Sequence, residues 1–338
     1  MTRIVVDAMG SDNYPGPDVE GAVLAAREYG VEIILVGDEA KIKPELDKQN
    51  PGNLKIRIVH APEMLTMEDK GMSLVLKAHR PNSKNSMAVG IDLVKNGEAD
   101  VFVTMGNTGA ATVTAYFRLG TIPGVDRPAV APIFPTATGT CVVLDVGANP
   151  DCKPENLYQF AIMGATYAEK VRGVKNPLVG LISNGEEAGK GSQLVKETYP
   201  MLKNSSLNFY GNVEGKEVIG GVVNVAVTDG FTGNVMLKST EAVAKLLTEK
   251  IKEMIKDGPI TAKLGGLLVK PTLTKLKQML DPSEEGAAPL LGVNGLVFIG
   301  HGRSDSIAIK NAIRVAKQAV EAGVQESIRA AIEQQLKK

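Results

Sequence analysis

Tryptophan is absent from this 338-residue chain, and the chain has only two cysteines and three histidines. The cysteines, at positions 141 and 152, have neither the spacing of a metal site nor the number needed for a disulfide framework, which favours a reducing cytoplasm. No apolar run approaches the roughly 18 residues of a membrane span. The opening residues MTRIVVDAMG lack the pattern of a signal peptide, so a cytoplasmic location is expected.

Net charge is also lacking, because 38 acidic side chains balance 38 basic ones. A neutral chain has no overall field that would favour nucleic acid, so any charged partner must bind a local patch. The usual nucleophile systems are missing as well: the three histidines accompany neither a GxSxG elbow nor a cysteine signature. A covalent acyl-enzyme is therefore not expected.

Short β-branched runs alternate with helical patterns along the whole chain. The runs begin at residues 3, 32, 55, 101, 141, 178, 222 and 296, and helices are predicted over 17–29, 86–96, 154–171 and 304–323. Alternation of this kind predicts an α/β fold with helices on both faces of one central, mostly parallel sheet. Since no linker divides the chain, residues 1–338 are expected to form a single domain.

Polar, glycine-rich segments follow five of these strands, at the edge where open parallel sheets bind ligands. Glycine lets backbone N–H groups approach an anion, and Asn and Thr add neutral hydrogen bonds. The pattern predicts a pocket for a small oxyanion; GxxxxGK[ST] and GxGxxG motifs are absent, so nucleotide binding has no support. The alternative for any one segment is an ordinary turn or helix cap. The candidate binding residues are Asp7, Gly10, Asp12, Gly106, Asn107, Thr108, Gly109, Asn149, Gly233 and His301.

Lys190 follows a glycine-rich segment and has glycine on its C-terminal side, so its ammonium is a candidate partner for phosphate or a developing oxyanion. An ordinary surface lysine is the alternative. Asp7, Asp145 and Asp229 each end an apolar strand, where they would orient donors; metal binding is the weaker interpretation, because Asp at strand ends also caps helices. No metal and no cofactor are predicted. His301 either joins the pocket or caps the helix that follows it.

Residues 238–280 contain two helical patterns without an intervening strand, and a projection over residues 239–285 is predicted. Residues 245–277 include eight lysines, only three acidic residues and many leucines. A basic amphipathic pair of helices suits an anionic bilayer or an acidic protein, whereas packing on a partner subunit is an equally good interpretation. A second basic stretch, residues 70–84, would dock an acidic partner or form a solvated loop.

Ordered motifs extend over nearly the whole chain. They are VDAMGSD from residue 6, GNTGA from 106, DRPAVAP from 126, LDVGANPDCKPENLYQFAIMG from 144, NGEEAGKG from 184, NFYGNVEG from 208, TDGFTGNVMLK from 228, and GAAPLLGVNG with HGRSD near the end. This ordered set resembles the phosphate acyltransferase family, which makes acyl phosphate from acyl-acyl carrier protein in bacterial phospholipid synthesis.

The resemblance implies a three-layer α/β/α, Rossmann-like fold similar to isopropylmalate dehydrogenases. It also implies a homodimer associated with the inner face of the cell membrane through residues 245–280. The implied partners are acyl carrier protein, inorganic phosphate and the downstream membrane acyltransferase that transfers the acyl group to glycerol 3-phosphate. Under this hypothesis the loop at 106–109 and Asn234 hold phosphate, Lys190 neutralises the tetrahedral intermediate, and Asp7, Asp12 and Asp229 orient the donors.

Two departures from the family pattern limit what the resemblance implies. Ser11 and Asn13 stand where the family's first loop usually has Gly and His, so no histidine role carries over to that loop. The stretch 71–85 also differs from the usual form, and it gives no basis for placing carrier-protein docking there. Rival hypotheses are a phosphotransacetylase-like or decarboxylating-dehydrogenase-like enzyme, and a catalytically inactive scaffold for lipid-synthesis partners.

Overall fold

The structure is a computed structural model that describes residues 1–65, 69, 71–280 and 282–336. The strands within these residues are β1 (Arg3–Asp7), β2 (Glu32–Gly37), β3 (Ile56–His60), β4 (Val101–Thr104), β5 (Ala129–Val130), β6 (Ile133–Thr136), β7 (Gly139–Leu144), β8 (Val179–Ile182), β9 (Phe209–Val213), β10 (Val225–Val227), β11 (Ala287–Leu291) and β12 (Val297–Gly300). The helices are α1 (Gly16–Tyr29), α2 (Glu39–Lys48), α3 (Gly71–His79), α4 (Ser86–Lys95), α5 (Thr108–Leu119), α6 (Pro154–Lys170), α7 (Gln193–Lys203), α8 (Gly215–Gly220), α9 (Gly230–Asp257), α10 (Ile260–Leu280), α11 (Ser306–Glu321) and α12 (Val324–Leu336). All eight predicted strands and all four predicted helices are present.

The strands form two sheets, so the prediction of one central sheet is wrong. The larger sheet has the order β3-β2-β1-β4-β12-β11-β5 and the smaller one β6-β7-β10-β8-β9. The chain passes between them at residues 129–136: β5 pairs antiparallel with β11, and β6 pairs antiparallel with β7. Val146 N donates to Val130 O at 3.1 Å, which joins the two sheets side by side.

Helices cover both faces of this paired sheet layer, which gives the predicted α/β/α arrangement. The neighbouring helices α1, α11, α12, α6 and α7 cover one face, whereas α3, α4 and α5 lie together on the other face of the larger sheet. One buried cluster on the first face includes Ile4 of the larger sheet, Leu144 of the smaller sheet and Phe160 of α6. Separate clusters fill the second face of each sheet, around Phe102 in the larger and Phe134 in the smaller.

The predicted pair of helices corresponds to α9 and α10, with the break at residues 258–259 as expected. Helix α9 begins at Gly230, earlier than the sequence pattern indicates, because Asp229 caps it directly after β10. The two helices contact each other, and beyond Gly233 none of their described side chains is buried. Within the described part of the chain, no helix has both the length and the apolar character needed to cross a bilayer.

Candidate functional site

Three adjacent strands of the larger sheet, β1, β4 and β12, end at one edge and are parallel to one another. The segments that follow them contain most of the predicted binding residues. Asp12 N donates to Gly302 O at 2.7 Å, so the first and last of these segments are in contact. A methyl group built on Gly302 would lie 2.4 Å from Asp12 Oδ1, so the Asp12 side chain lies against this glycine.

A buried hydrogen-bond chain supports the loop that follows β4. Thr104 Oγ1 donates to Asp7 Oδ2 at 2.7 Å and accepts from Gly106 N at 3.0 Å. Met9 N also donates to Asp7, at 3.1 Å. Burial raises the pKa of Asp7, and these donors oppose that effect by stabilising its ionised form. Asp7 is therefore buried beneath the loop and is connected to Gly106 through Thr104.

Gly10 lies against the same loop. A methyl group built on it would lie 2.9 Å from Met105 N and 3.0 Å from Gly106 N, closer than real side-chain carbons approach backbone. The absence of a side chain lets the first segment pack directly on residues 104–106. Gly10 thus shapes the candidate anion loop through close packing.

Helix α5 begins at this loop. Asn107 Oδ1 accepts from Ala110 N at 2.8 Å and caps the helix, and a methyl group built on Gly109 would lie 3.2 Å from the same oxygen. A capped helix start directs backbone N–H groups and the positive end of the helix dipole outward. The cap interpretation and the anion-site interpretation of this loop are therefore compatible, because one geometry supports both.

In the smaller sheet, the buried carboxylate of Asp145 organises the loop after β7. It accepts from Val130 N at 2.9 Å, from Asn149 N at 2.6 Å and from Asn149 Nδ2 at 3.0 Å. Burial raises the pKa of Asp145 to about 6. The amide of Asn149 also donates to Pro128 O at 2.7 Å, so its two hydrogens are engaged within the protein. In this structure Asn149 stabilises the loop and does not face its open side.

The start of α9 lies against that loop. Asp229 caps the helix by accepting from Thr232 N at 2.9 Å and from Thr232 Oγ1 at 2.8 Å. A side chain at Gly233 would collide with the carbonyl oxygen of Asp145. This close approach brings Asn234 against Gly147, where an added methyl group would lie 3.7 Å from Asn234 Cγ. Asp229 and Gly233 therefore position Asn234, which is exposed.

The two sheet edges meet in one cavity of about 760 Å³. Thr108 and His301 line it from the larger sheet, and Gly147 and Asn234 line it from the smaller one. The structure thus brings together predicted residues that are far apart in sequence.

Lys190 lies elsewhere on the same side of the smaller sheet. It belongs to the loop after β8, where its N–H donates to Glu187 O at 2.9 Å, and its side chain is exposed. Strand β8 is adjacent to β10, which leads into α9 and Asn234, but Lys190 is not among the residues lining the cavity. The structure therefore places Lys190 after a strand next to the one that precedes Asn234, but outside the cavity that Asn234 lines.

Ser11, which replaces the glycine expected from the family resemblance, has a buried partner. Its hydroxyl donates to Asp18 Oδ2 at 2.5 Å, and Asp18 Oδ1 has no hydrogen-bond partner among the described residues. Burial, with a smaller effect of the nearby Asp7 charge, raises the pKa of Asp18 to about 7. The hydrogen bond between Ser11 and Asp18 stabilises the segment that follows β1 on its buried side.

Sequence reasoning missed two further residues at the site. The strand pattern includes Thr104 without giving it a role, although its position directly before the loop is a usable signal. Glu241 lies seven residues after Asn234, on the same side of α9, and its Oε1 is 3.3 Å from His301 Nε2. His301 and Lys238 lower the pKa of Glu241 to about 2, with His301 making the larger contribution.

The second basic stretch lies only partly within the described residues. Lys77 Nζ lies 2.5 Å from Asp69 Oδ1, so an acidic partner balances one of the positive charges in this stretch. Lys70 lies outside the described residues, as do the side chains of Leu276, Lys277 and Leu280 in the basic hairpin.

Solved structures with the same fold include two kinds of enzyme. The EutD phosphotransacetylase of Staphylococcus aureus aligns with a TM-score of 0.60 and 17% identity, over 95% of this chain and 94% of that one. A 4-hydroxythreonine-4-phosphate dehydrogenase of Klebsiella pneumoniae aligns with a TM-score of 0.52 and 12% identity, over 95% of this chain and 98% of that one. At such low identity the likeness establishes the fold alone.

Sequence comparisons are more specific. A family model described as fatty acid synthesis protein matches residues 2–327. The phosphate acyltransferase of Geotalea daltonii is 48% identical over 322 residues, which cover 95% of this chain and 92% of the relative. That of Acidobacterium capsulatum is 47% identical over 331 residues, with coverage of 98% and 97%. The chain belongs to the phosphate acyltransferase family.

Proposed function

We propose that this chain transfers a fatty acyl group from acyl carrier protein to inorganic phosphate and so supplies acyl phosphate for phosphatidic acid synthesis. The observation that carries the proposal is nearly half identity, over almost the full length, with relatives named phosphate acyltransferase. The chain is accordingly an acyltransferase. Its candidate site combines glycine-rich loops with two capped helix starts, an arrangement suited to an anionic substrate.

The proposed reaction needs positioning more than activation. A phosphate oxygen attacks the thioester carbonyl carbon, the carbon–sulfur bond breaks, and the thiolate of the carrier protein leaves and takes up the proton that hydrogen phosphate loses. The loop at 106–109 and Asn234 hold phosphate, while Lys190 stabilises the negative charge that develops on the carbonyl oxygen. Asp7, acting through Thr104, orients the loop. Asp12 orients the neighbouring segment, and Asp229 orients Asn234.

This mechanism requires a substrate that contacts both Lys190 and Asn234, which follow different strands. Lys190 follows β8 and Asn234 follows the adjacent strand β10, so one inter-strand step of about 5 Å separates the two strand ends. Lysine is long and its ammonium is exposed, so it reaches toward a substrate that spans both loops. A thioester on a flexible arm, with phosphate at the 106–109 loop, is such a substrate.

We further propose a homodimer that associates peripherally with the inner face of the cell membrane. Leu267 and Leu268 of α10 are 74% and 82% exposed, and Met254 of α9 is 72% exposed. Lysines surround these side chains, and together they suit an anionic bilayer surface. In this proposal residues 239–285 project from a single domain that comprises residues 1–338, and the downstream membrane acyltransferase receives the product there.

The test is release of free carrier protein from palmitoyl-acyl carrier protein, with and without phosphate, by wild type, Lys190→Ala and Lys196→Ala. Lys196 is an exposed lysine of α7 and serves as the matched control. Phosphate-dependent release that falls at least ~100-fold for Lys190→Ala alone would support the reaction and the role of Lys190. No phosphate-dependent release by folded wild type would reject the proposed function.

Three rival hypotheses are tested in the same preparation. Turnover of acetyl-coenzyme A but not of the carrier-protein thioester would favour a phosphotransacetylase, and a rise in melting temperature with NAD and a divalent metal would favour a dehydrogenase. Vesicle binding without any turnover would favour the scaffold hypothesis.

A further inference from the structure

Glu241 of α9 and His301, which follows β12, both line the cavity and lie against each other. Glu241 Oε1 is 3.3 Å from His301 Nε2. The side chain of Glu241 is 18% exposed, whereas that of His301 is 41% exposed. The carboxylate is therefore largely removed from water, and the imidazole remains accessible.

Two basic groups hold the Glu241 carboxylate in place. Its Oε2 is 3.4 Å from Nζ of Lys238, which lies one turn earlier on the same helix. Oε1 is buried and accepts no hydrogen bond from any described residue other than His301. With His301 as the largest cause, the pKa of Glu241 is lowered to about 2, so the carboxylate is ionised at neutral pH.

This contact selects which nitrogen of His301 carries the hydrogen. A carboxylate beside Nε2 favours the tautomer whose hydrogen is on Nε2, and it stabilises the imidazolium that forms when the ring takes up a second proton. Nδ1 then has a free lone pair, and no described residue forms a hydrogen bond with it. The pair has the features of a histidine base that a carboxylate orients.

His301 lies beside the candidate phosphate loop. It follows β12, which pairs with β4, and the loop follows β4 one inter-strand step of about 5 Å away. A methyl group built on Gly300 would collide with Met105 Sδ, so Gly300 packs directly against the residue that precedes the loop. Thr108 of the loop lines the same cavity as His301. A phosphate held at the loop would therefore share the cavity with the imidazole.

Other charged groups also lie around the imidazole. They are Glu241 and Lys238 of α9, Lys275 of α10, Glu284 and Glu285 before β11, and Asp12, which lies against Gly302. Glu285 is paired with Arg172 at 3.1 Å. His301 is the only histidine among the described residues that line the cavity, and histidine is the side chain that most readily exchanges a proton near neutral pH.

The proposed reaction transfers a proton from hydrogen phosphate to the thiolate of the carrier protein, and no residue has yet been assigned to carry it. We propose that His301 does so: its Nδ1 accepts the proton from the attacking phosphate and delivers it to the thiolate sulfur as the carbon–sulfur bond breaks. The imidazole is neutral before and after the transfer. Glu241 is the positioning residue that holds the ring in the required tautomer. This inference rests on the proposed function, because it assigns one step within that reaction.

The test measures kcat and the KM for phosphate with palmitoyl-acyl carrier protein, from about pH 5 to pH 8, for wild type, His301→Gln and His60→Gln. Glutamine retains an N–H group that can donate to Glu241 but has no nitrogen that takes up a proton. His60 is an exposed histidine at the end of β3 and does not line the cavity, so its variant should match wild type.

For His301→Gln, kcat is expected to fall at least ~100-fold, while the KM for phosphate changes less than about threefold. The ratio of wild-type kcat to variant kcat should rise with pH, because only the wild-type base becomes available as the imidazole loses its proton. Phosphate titrates in the same way in all reactions, so its own pH dependence cancels in this ratio.

Glu241→Gln tests the positioning role. The new amide can donate to Nε2, which moves the hydrogen of the ring to Nδ1 and blocks proton uptake, so kcat is expected to fall at least ~10-fold. Glu321→Gln is the matched control, because it removes an exposed helical carboxylate that is paired with Lys317 on α11. Its kcat should equal that of wild type. Equal kcat for Glu241→Gln and Glu321→Gln would remove Glu241 from the inference.

Added imidazole distinguishes proton transfer from packing. In His301→Ala it can enter the cavity in place of the lost ring, and phosphate-dependent release is expected to recover at least ~10-fold. Unchanged kcat for His301→Gln, or a fall that neither varies with pH nor is rescued by imidazole in His301→Ala, would overturn the inference and leave the proposed function intact. No phosphate-dependent release by folded wild type would instead reject the proposed function, and this inference with it.

Discussion

The hydroxyl of Thr104 lies 2.7 Å from the buried carboxylate of Asp7 and at the same time accepts from the N–H of Gly106. One threonine at the end of β4 thereby links the end of β1 to the candidate phosphate loop. Both residues are about 1% exposed, so water does not replace either partner readily. Loop geometry consequently depends on a hydrogen bond that lies entirely beneath the site.

Replacing Thr104 with valine keeps the shape of the side chain and removes both hydrogen bonds. Asp7 then loses a donor in a buried position, and stability is expected to fall by about 1–3 kcal/mol. The KM for phosphate is expected to rise about tenfold, because the Gly106 N–H is no longer fixed. Phosphate saturation curves and urea unfolding measure the two effects.

Thr114→Val is the matched control. Thr114 is also buried, and its hydroxyl donates within α5 to Ala110 O at 2.7 Å, away from the loop. Its KM for phosphate should equal that of wild type. If both variants raised KM equally, general destabilisation rather than loop positioning would be responsible.

Gly10 provides a second, steric test of the same loop. Gly10→Ala would place a methyl group 2.9 Å from Thr104 Oγ1 and from Met105 N, so the loop must shift. Stability is expected to fall by about 1–3 kcal/mol and phosphate affinity to fall with it. Gly16→Ala, where no atom lies within 4 Å of the new methyl group, should leave both unchanged. Crystallographic or thermal-shift titration with phosphate would distinguish the two.

Periodicity in the sequence predicts the parallel strands and the helices between them, but not the strands where the sheets meet. Strands β6 and β11 contain Pro135 and Pro289, and both are antiparallel to their neighbours. Gly211 interrupts the β9 pattern in the same way. Proline and glycine weaken a strand signal, and only long-range pairing with β7, β12 and β8 stabilises these segments. For this reason the sequence predicts one sheet where two exist.

The sequence likewise predicts only some features of the candidate site. The rule that ligands bind at strand ends predicts Asp12, the 106–109 loop, Asn234 and His301 as site residues, and the structure brings Thr108, Asn234 and His301 to one cavity. It does not distinguish side chains that face the cavity from those that are buried beneath it, such as Asn149. Nor does it reveal Glu241, whose approach to His301 depends on the angle at which α9 crosses the sheets. Such placements follow from packing, which no local pattern encodes.

Asp18 predicts a pH dependence of stability. Its folded-state pKa is raised from 3.8 to about 7, so the folded chain retains a proton that the unfolded chain releases. Stability from this group is therefore fully present below pH ~4 and is lost as pH rises toward about 7. Asp18→Asn removes the titration and retains the acceptor for Ser11. At pH 8 the variant is expected to be more stable than wild type by on the order of 2–4 kcal/mol.

Thermal unfolding from pH 4 to pH 8 measures this difference. The advantage of Asp18→Asn should shrink as pH falls and should be nearly absent at pH 4. Asp47→Asn, at an exposed position of α2, serves as the control and should follow wild type throughout. A constant difference between Asp18→Asn and wild type at every pH would contradict the assignment.

The exposed apolar side chains of the hairpin lead to the last prediction. Leu268 is 82% exposed, and apolar side chains exposed in this way commonly mark a surface that binds a membrane or another protein. Lysines at 263 and 270 flank it in sequence. Leu268→Glu adds a charge of the same sign as an anionic bilayer and removes apolar contact. Co-sedimentation with phosphatidylglycerol vesicles is expected to fall at least ~10-fold, with no change in melting temperature.

Met72→Glu is the control, because Met72 is 72% exposed on α3, far from the hairpin in sequence. Its vesicle binding should equal that of wild type. Sedimentation velocity without vesicles then separates the two interpretations of the hairpin. If Leu268→Glu converted a dimer to a monomer and left vesicle binding intact, the apolar surface would be a subunit interface, and the membrane would have to be contacted elsewhere. Unchanged oligomeric state with lost vesicle binding assigns this surface to the bilayer.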